Sequence, residues 1–174
     1  ILEMLGGKDK ISSDKIRELW ESGMTLKKFC VLEAVTKTQS DEYPDLICQG
    51  IIDNDEIVSR CASENIGLIG SKAVDSILLL LEDETDPLRL EAIVTGMGSI
   101  AEELTTNGEE VPQELFEAIM NLLDIYGHDY PNIKEQAIVA LGKTKNIEAV
   151  EVILKALSDS DKYVIEASEN ALIN

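Results

Sequence analysis

An apolar residue followed four places later by a small one recurs along this chain: Leu26…Cys30, Val58…Ala62, Leu88…Ala92, Ile133…Ala137 and Val164…Ser168. Residues four apart lie on one face of a helix. The starts are 32, 30, 45 and 31 residues apart. A step of about thirty residues holds two helices of ~11–15 residues and two turns. One such hairpin cannot bury its apolar stripe, whereas stacked hairpins share a continuous core. The pattern therefore predicts an all-α fold. Its expected form is an α-solenoid, a superhelix of about five stacked antiparallel hairpins with partial repeats at the ends. The small fifth residue is expected where neighbouring helices approach most closely. The string Ala-Ser-Glu-Asn at 62–65 and again at 167–170 supports duplication, displaced by one place in register.

Composition agrees with helices packed through medium side chains: 44% of residues are hydrophobic but only 4% are aromatic. With 34 acidic and 15 basic residues the net charge is −19. That charge repels phosphate backbones and anionic membranes, and it is compatible with a basic partner or a high-salt cytoplasm. The three cysteines Cys30, Cys48 and Cys61 form no CxxC pair, so they read as reduced core residues of a cytoplasmic protein. No stretch reaches the ~18 uncharged apolar residues of a membrane span. The sequence opens on Ile1 without a Met and ends in a helix-like stretch, so it reads as part of a longer chain.

The chain reads as a single domain over 1–174 with units at 1–24 (partial), 25–54, 55–85, 86–128, 129–159 and 160–174 (partial). Residues 1–6 read as a helix end stopped by Gly6-Gly7. Ser12 or Ser13 then caps a short helix carrying Ile16, Leu19 and Trp20 on one face, with Trp20 as the anchor of the first hairpin. Pro44, Pro87 and Pro112 stand at helix starts, where the missing N–H costs nothing. Asp53-Asn54-Asp55 offers a cap for a helix that stops at Gly67 to Gly70, and Ser71 a cap for the next helix, 72–83. The long step contains a turn-rich insertion over 105–113, which is a second candidate for specificity.

Two stretches carry a family likeness: "VSRCASENIGLIGSKAVDSILLLLED" at 58–83 and "IKEQAIVALGKTKNIEAVEVILKALSD" at 133–159. They resemble the short HEAT-like repeats of the PBS-lyase type, with Ala within the first helix, Gly at its end, and an apolar second helix closing on Asp. The basic residue that usually follows the opening hydrophobic is Lys27, Arg89 and Lys134, but Ser59 and Ile165 in the other copies. The resemblance covers roughly 26–174. It implies a solenoid, and among its functions are scaffolds, bilin-attachment lyases or chromophore chaperones, and DNA-alkylation glycosylases. The net charge of −19 and the lack of basic stripes speak against the last.

Aligning the second helices of successive units places Asp45, Asp75, Glu117 and Glu151 at one position, and Gln49, Leu79, Asn121 and Lys155 one turn later. Both sets lie off the core stripe. The resemblance puts second helices on the concave face, so these eight residues form the candidate binding stripe. It suits a protein or peptide partner, a basic one where it meets the acids. Leu79, within the apolar run 77–81, is the candidate apolar anchor. Catalysis is poorly supported. The single histidine, His128, stands beside Asp129 without a second His or Cys to complete a metal set. No nucleophile has a partner by spacing, and no carboxylate pair stands in an apolar setting. A non-enzymatic interaction module without a cofactor is the expectation, with no binding of nucleic acid or membrane.

Overall fold

The computed structural model describes residues 13–38 and 43–173. The expected helix end over 1–6 and the Ser12 cap lie outside them, as do residues 39–42. Among the described residues the chain is all-helical. The helices are α1 (Ser13–Glu21), α2 (Thr25–Thr38), α3 (Pro44–Ile51), α4 (Glu56–Asn65), α5 (Val74–Leu81), α6 (Pro87–Thr106), α7 (Gln113–Tyr126), α8 (Pro131–Thr144), α9 (Ala149–Ala156) and α10 (Lys162–Ile173). A 3-10 segment, Ile66–Ala73, joins α4 to α5.

The even-numbered helices pack on one another in chain order: α2 on α4, α4 on α6, α6 on α8, α8 on α10. Of the odd-numbered ones, α3 packs on α5 and α5 on α7, while α9 packs on α8 and α10. The longest helix, α6, shows why these sequences settle this way. Leu90, Ile93, Val94, Met97, Ile100, Ala101 and Leu104 recur at three- and four-residue spacing, and all are buried. Each of these side chains larger than Ala101 stabilises the fold by roughly 1.5–3 kcal/mol relative to exposure. The buried hydroxyls of Thr36, Ser63, Thr144 and Ser168 donate back to carbonyls of their own helices, so they enter the core without an unpaired donor.

Helices approach closely where a side chain is missing. A Cβ on Gly50 would lie 2.9 Å from the Ala62 Cβ, one on Gly98 3.1 Å from that of Ala140, and one on Gly142 2.6 Å from that of Ala171. The small residue Ala62 is thus at a close approach, as expected. The other narrow places fall outside the predicted register.

That register needs correction in two copies. Val58, Ile133 and Val164 are buried, but Leu26 and Leu88 are 67% and 76% exposed, and Cys30 and Ala92 are only half-buried. The helix starts explain it. Val58, Ile133 and Val164 are each the third residue of their helix, whereas Leu26 and Leu88 are the second. One residue is about 100° of rotation, enough to carry a side chain off the core. In α6 the true inward position next to the start is Leu90. Ser71 does not cap the following helix. The chain runs as 3-10 turns to Ala73, broken by Gly70 (φ 65°, ψ −142°), and α5 begins only at Val74 without a side-chain cap. The turn-rich stretch is shorter than 105–113, because Thr105, Thr106 and Gln113 are helical and only 107–112 connects α6 to α7.

The turns that lead into three even-numbered helices share one construction. Asp55 caps α4 by accepting from the N–H groups of Ile57 and Val58, Asp86 caps α6 through Leu88 and Arg89, and Asp161 accepts from Tyr163 N–H. An acid two residues earlier accepts from the backbone N–H of the cap: Asp53 at 2.9 Å, Glu84 at 2.8 Å, Asp159 at 2.8 Å. A cation of a preceding helix or of the following one closes each turn. Lys28 pairs with Asp53, Lys134 with Asp159, and Arg89 with Glu84 at 3.5 Å. The partly buried lysine pairs join residues 25 apart in both copies. In the turn before α8 the corresponding places hold His128 and Tyr130, and Tyr130 makes no side-chain cap.

Candidate functional site

Asp45 and Gln49 stand on α3, Asp75 and Leu79 on α5, Glu117 and Asn121 on α7, Glu151 and Lys155 on α9, and all eight are exposed. Their exposure follows from the opposite faces of the same helices. Leu46, Ile47 and Ile51 of α3, Val74 and Ile77 of α5, Leu115, Ile119 and Leu122 of α7, and Ala149 and Ile153 of α9 are buried. Leu79 is 67% exposed, so the apolar run of α5 does send one leucine outward. The structure brings the first half of the stripe together: Ser76 on α5 donates to Asp45 on α3 at 3.1 Å. Contact continues from α5 to α7. The second half is less joined, because α9 meets α8 and α10 rather than α7.

Local pairing offsets the charge of one stripe acid, Glu151, and adds a neutral hydrogen bond at Glu117. Glu117 accepts from Gln113 at 3.1 Å, and Glu151 pairs with Lys155 at 2.7 Å. Lys155, through its hydrogen bond and its charge, holds the Glu151 carboxyl below the ordinary carboxylate range. Asp45 and Glu117 accept from the neutral donors Ser76 and Gln113, which leave their charges in place, and Leu79 lies one turn from Asp75.

Comparison of the sequence with protein-family models gives no match, and no curated protein matches it either.

Other groups single themselves out less. Cys48 and Cys61 are buried and free; burial, reinforced by Asp45, pushes the Cys48 thiol up to about 12, and burial also raises Cys61. Thiols so placed carry almost no thiolate at neutral pH and are poor nucleophiles. His128 is exposed in the turn before α8. Trp20 is 8% exposed, with the Lys28 ammonium 5.5 Å from its ring centroid, and its role is that of an anchor between α1 and α2. Among the described residues no group of His, Cys, Asp and Glu is arranged to hold a metal ion. No helix among them is long and apolar enough to cross a membrane.

Two features escaped sequence reasoning. The half-buried Glu135 of α8 has its carboxyl raised, first by burial and then by Glu91, Asp161 and Glu166. These acids come from α6, the turn before α10 and α10 itself, so no local spacing announces the cluster. A groove of about 390 Å³ also opens between the ends of α6, α8 and α10, lined by Glu102, Thr105, Thr106, Lys143 and Asn170. An adjoining one of about 430 Å³ runs along 108–111 to Phe116 and Asn146. The insertion at 105–113 was the available signal, and it does line both grooves. Thr105 donates to the Lys143 carbonyl at 3.2 Å and so fixes the insertion to the end of α8.

Proposed function

We propose that this chain is a HEAT-like α-solenoid that acts as a non-enzymatic interaction module in the cytoplasm, binding a protein or peptide segment on the face formed by α3, α5, α7 and α9. The reading of a solenoid is supported by the ordered packing of the even-numbered helices and by the repeated turns at 53–55, 84–86 and 159–161. One observation carries the choice of face. The eight aligned residues are all exposed, and an exposed leucine, Leu79, stands one turn from Asp75 on α5, the helix whose Ser76 donates to Asp45 of α3. An exposed leucine one turn from a carboxylate suits a partner that presents an apolar side chain flanked by Lys or Arg.

The test compares the native chain with two variants in pull-downs from source-cell lysate at low and moderate salt. One variant is Asp45→Asn/Asp75→Asn/Glu117→Gln/Glu151→Gln and the other is Leu79→Ser. A partner retained by the native chain and lost by both variants is the expected result. Equal retention by all three sinks this face as the binding site and directs attention to the 105–113 grooves.

A further inference from the structure

The second residue of each even-numbered helix forms a series of its own: Leu26, Ile57, Leu88, Asn132 and Tyr163. Leu26, Ile57, Leu88 and Tyr163 are 67%, 54%, 76% and 53% exposed. At the Asn132 step Tyr130, just before the helix, is 40% exposed, and Met24, just before α2, is 56% exposed. Scattered exposed hydrophobics need no explanation. These are not scattered, since every even-numbered helix start carries one.

Hydrogen bonds between the helix starts make the series a continuous row. Thr25 donates to Asp55, joining α2 to the start of α4. Arg89 donates to Asn54 at 3.4 Å, joining α6 to α4, and Asn132 donates to Glu91 at 3.3 Å, joining α8 to α6. Lys134 pairs with Asp159, joining α8 to the turn before α10. Each helix start therefore stands beside the next, and its outward apolar side chain stands with it.

The row runs through an acidic border. Helix N-termini carry partial positive charge, but here Asp55, Asp86 and Asp161 already occupy the free N–H groups. Beyond the caps the exposed acids Glu56, Glu82, Asp83 and Asp129 flank the row. Cations stand along it too: Lys27 beside Leu26, Arg60 one turn after Ile57, Arg89 beside Leu88 and paired with Glu84, and Lys162, whose ammonium lies 4.6 Å from the centre of the Tyr163 ring. Spacing selects the shape of the partner. Packed helices lie ~8–10 Å apart. One heptad of an α-helix rises about 10.5 Å, whereas same-face residues of a strand recur every ~6.7 Å and fall out of step.

We infer that the row Leu26–Ile57–Leu88–Tyr163 is a second docking surface, which takes a basic amphipathic helix lying across the starts of the even-numbered helices, one heptad to each. The leucines and Ile57 meet the apolar stripe of that helix, and Glu56, Glu82, Asp83 and Asp129 meet its lysines and arginines.

The probe is a fluorescent peptide of about five heptads, with Leu at a and d, Lys at e and g, and Ala or Gln elsewhere. A control peptide of the same composition has its leucines scattered around the helix. Binding is read by anisotropy at about 0.15 M salt. Saturable binding to the native chain is expected, weakened about tenfold or more by Leu26→Ser/Ile57→Ser/Leu88→Ser and several-fold by Glu56→Gln/Glu82→Gln/Asp83→Asn, with Leu79→Ser unchanged. Circular dichroism confirms that the variants, altered only at exposed positions, keep their helix content. Equal binding by the triple Ser variant, equal binding of the scattered-leucine peptide, or no saturable binding to the native chain overturns the inference. Loss on Leu79→Ser instead puts the peptide on the α3–α9 face, which favours the earlier reading and sinks this one.

Discussion

A Cβ on Gly67 would lie 2.4 Å from the Ser99 carbonyl oxygen, while one on Gly70 would meet nothing within 4 Å. Both glycines are required, for different reasons. Gly67→Ala forces the 3-10 segment away from α6 and is expected to cost about 1–3 kcal/mol as overpacking. Gly70→Ala is strained by its backbone alone (φ 65°, ψ −142°), at a cost of order 1–3 kcal/mol. Urea unfolding measures both losses, and hydrogen exchange separates them. Gly67→Ala is expected to speed exchange in α6 around Ser99, and Gly70→Ala to leave α6 protected. Equal protection around Ser99 in both would contradict the close approach. Sequence reading put the end of the helix opened at 53–55 at 67–70; α4 stops earlier, at Asn65, and Gly70, with its positive φ, instead breaks the 3-10 segment that follows. The demand on Gly67 was invisible, because it is set by Ser99, far along the chain. Glu135 is similar, since its acidic neighbours come from three places. A raised folded pKa means that the protonated form is favoured by folding. Its contribution is complete below the ordinary carboxylate pKa of about 4.3 and is lost as pH rises through the raised value. Glu135→Gln is thus expected to raise Tm at pH 7, with the gain vanishing near pH 4 and below. A lower Tm at pH 7 would show that the carboxylate is a net stabiliser.

At the scale of elements, helix starts decide more than apolar spacing does. The recurrence at 26, 58, 88, 133 and 164 located five helices, yet at 26 and 88 it took an outward residue for an inward one. Two apolar residues often stand near a helix start, and only the cap settles which of them turns inward. The caps before α4 and α6 were within reach of sequence reading, through Asp53-Asn54-Asp55 and through Pro87, which follows Asp86. The acid two places before each cap was not read as part of the same device, because its partners are a backbone N–H and a distant cation. Asp159 shows the strength of that device. Its carboxyl is held below the ordinary range, first by Lys134 and then by the Asp161 N–H. Asp159→Ala removes charge-assisted bonds and leaves Lys134 unpaired, for an expected loss of about 1–3 kcal/mol at pH 7. A lowered folded pKa contributes fully above the unfolded value of about 3.9 and fades as pH falls through the folded value. The difference between variant and native Tm should therefore shrink in acid. A gap that is the same at pH 7 and pH 3 would assign the loss to packing rather than charge. Asp86→Ala, which uncaps the longest helix, is expected to cost about 1 kcal/mol, within the 0.5–2 range for such caps.

For the whole molecule the dominant fact is the net charge of −19, with 34 acids against 15 bases. Part of that charge is used locally, in caps at 55, 86 and 161 and in pairs such as Lys28–Asp53, Lys143–Glu102 and Lys155–Glu151. Those pairs take up a few of the cations, and exposed acids remain along both proposed docking surfaces. Exposed charges further apart than the Debye length are screened, and that length falls from about 30 Å at 0.01 M salt to about 3 Å at 1 M. Screening weakens the exposed attractive pairs only slightly, because such pairs are worth about 0–1 kcal/mol each. It removes a larger sum of repulsions between unpaired acids, which oppose the compact state. Tm is therefore expected to rise between about 0.01 M and 0.5 M NaCl, by a few degrees for each ~1 kcal/mol of repulsion relieved at this chain length. Neutralising Glu56, Glu82 and Asp83 as amides should raise Tm at low salt and flatten the salt response, since those acids would no longer contribute to the repulsion. A flat or falling Tm in the native chain would mean that its acids are already balanced by local pairing, and the acidic border of the Leu26–Tyr163 row would lose its claim to attract a basic helix.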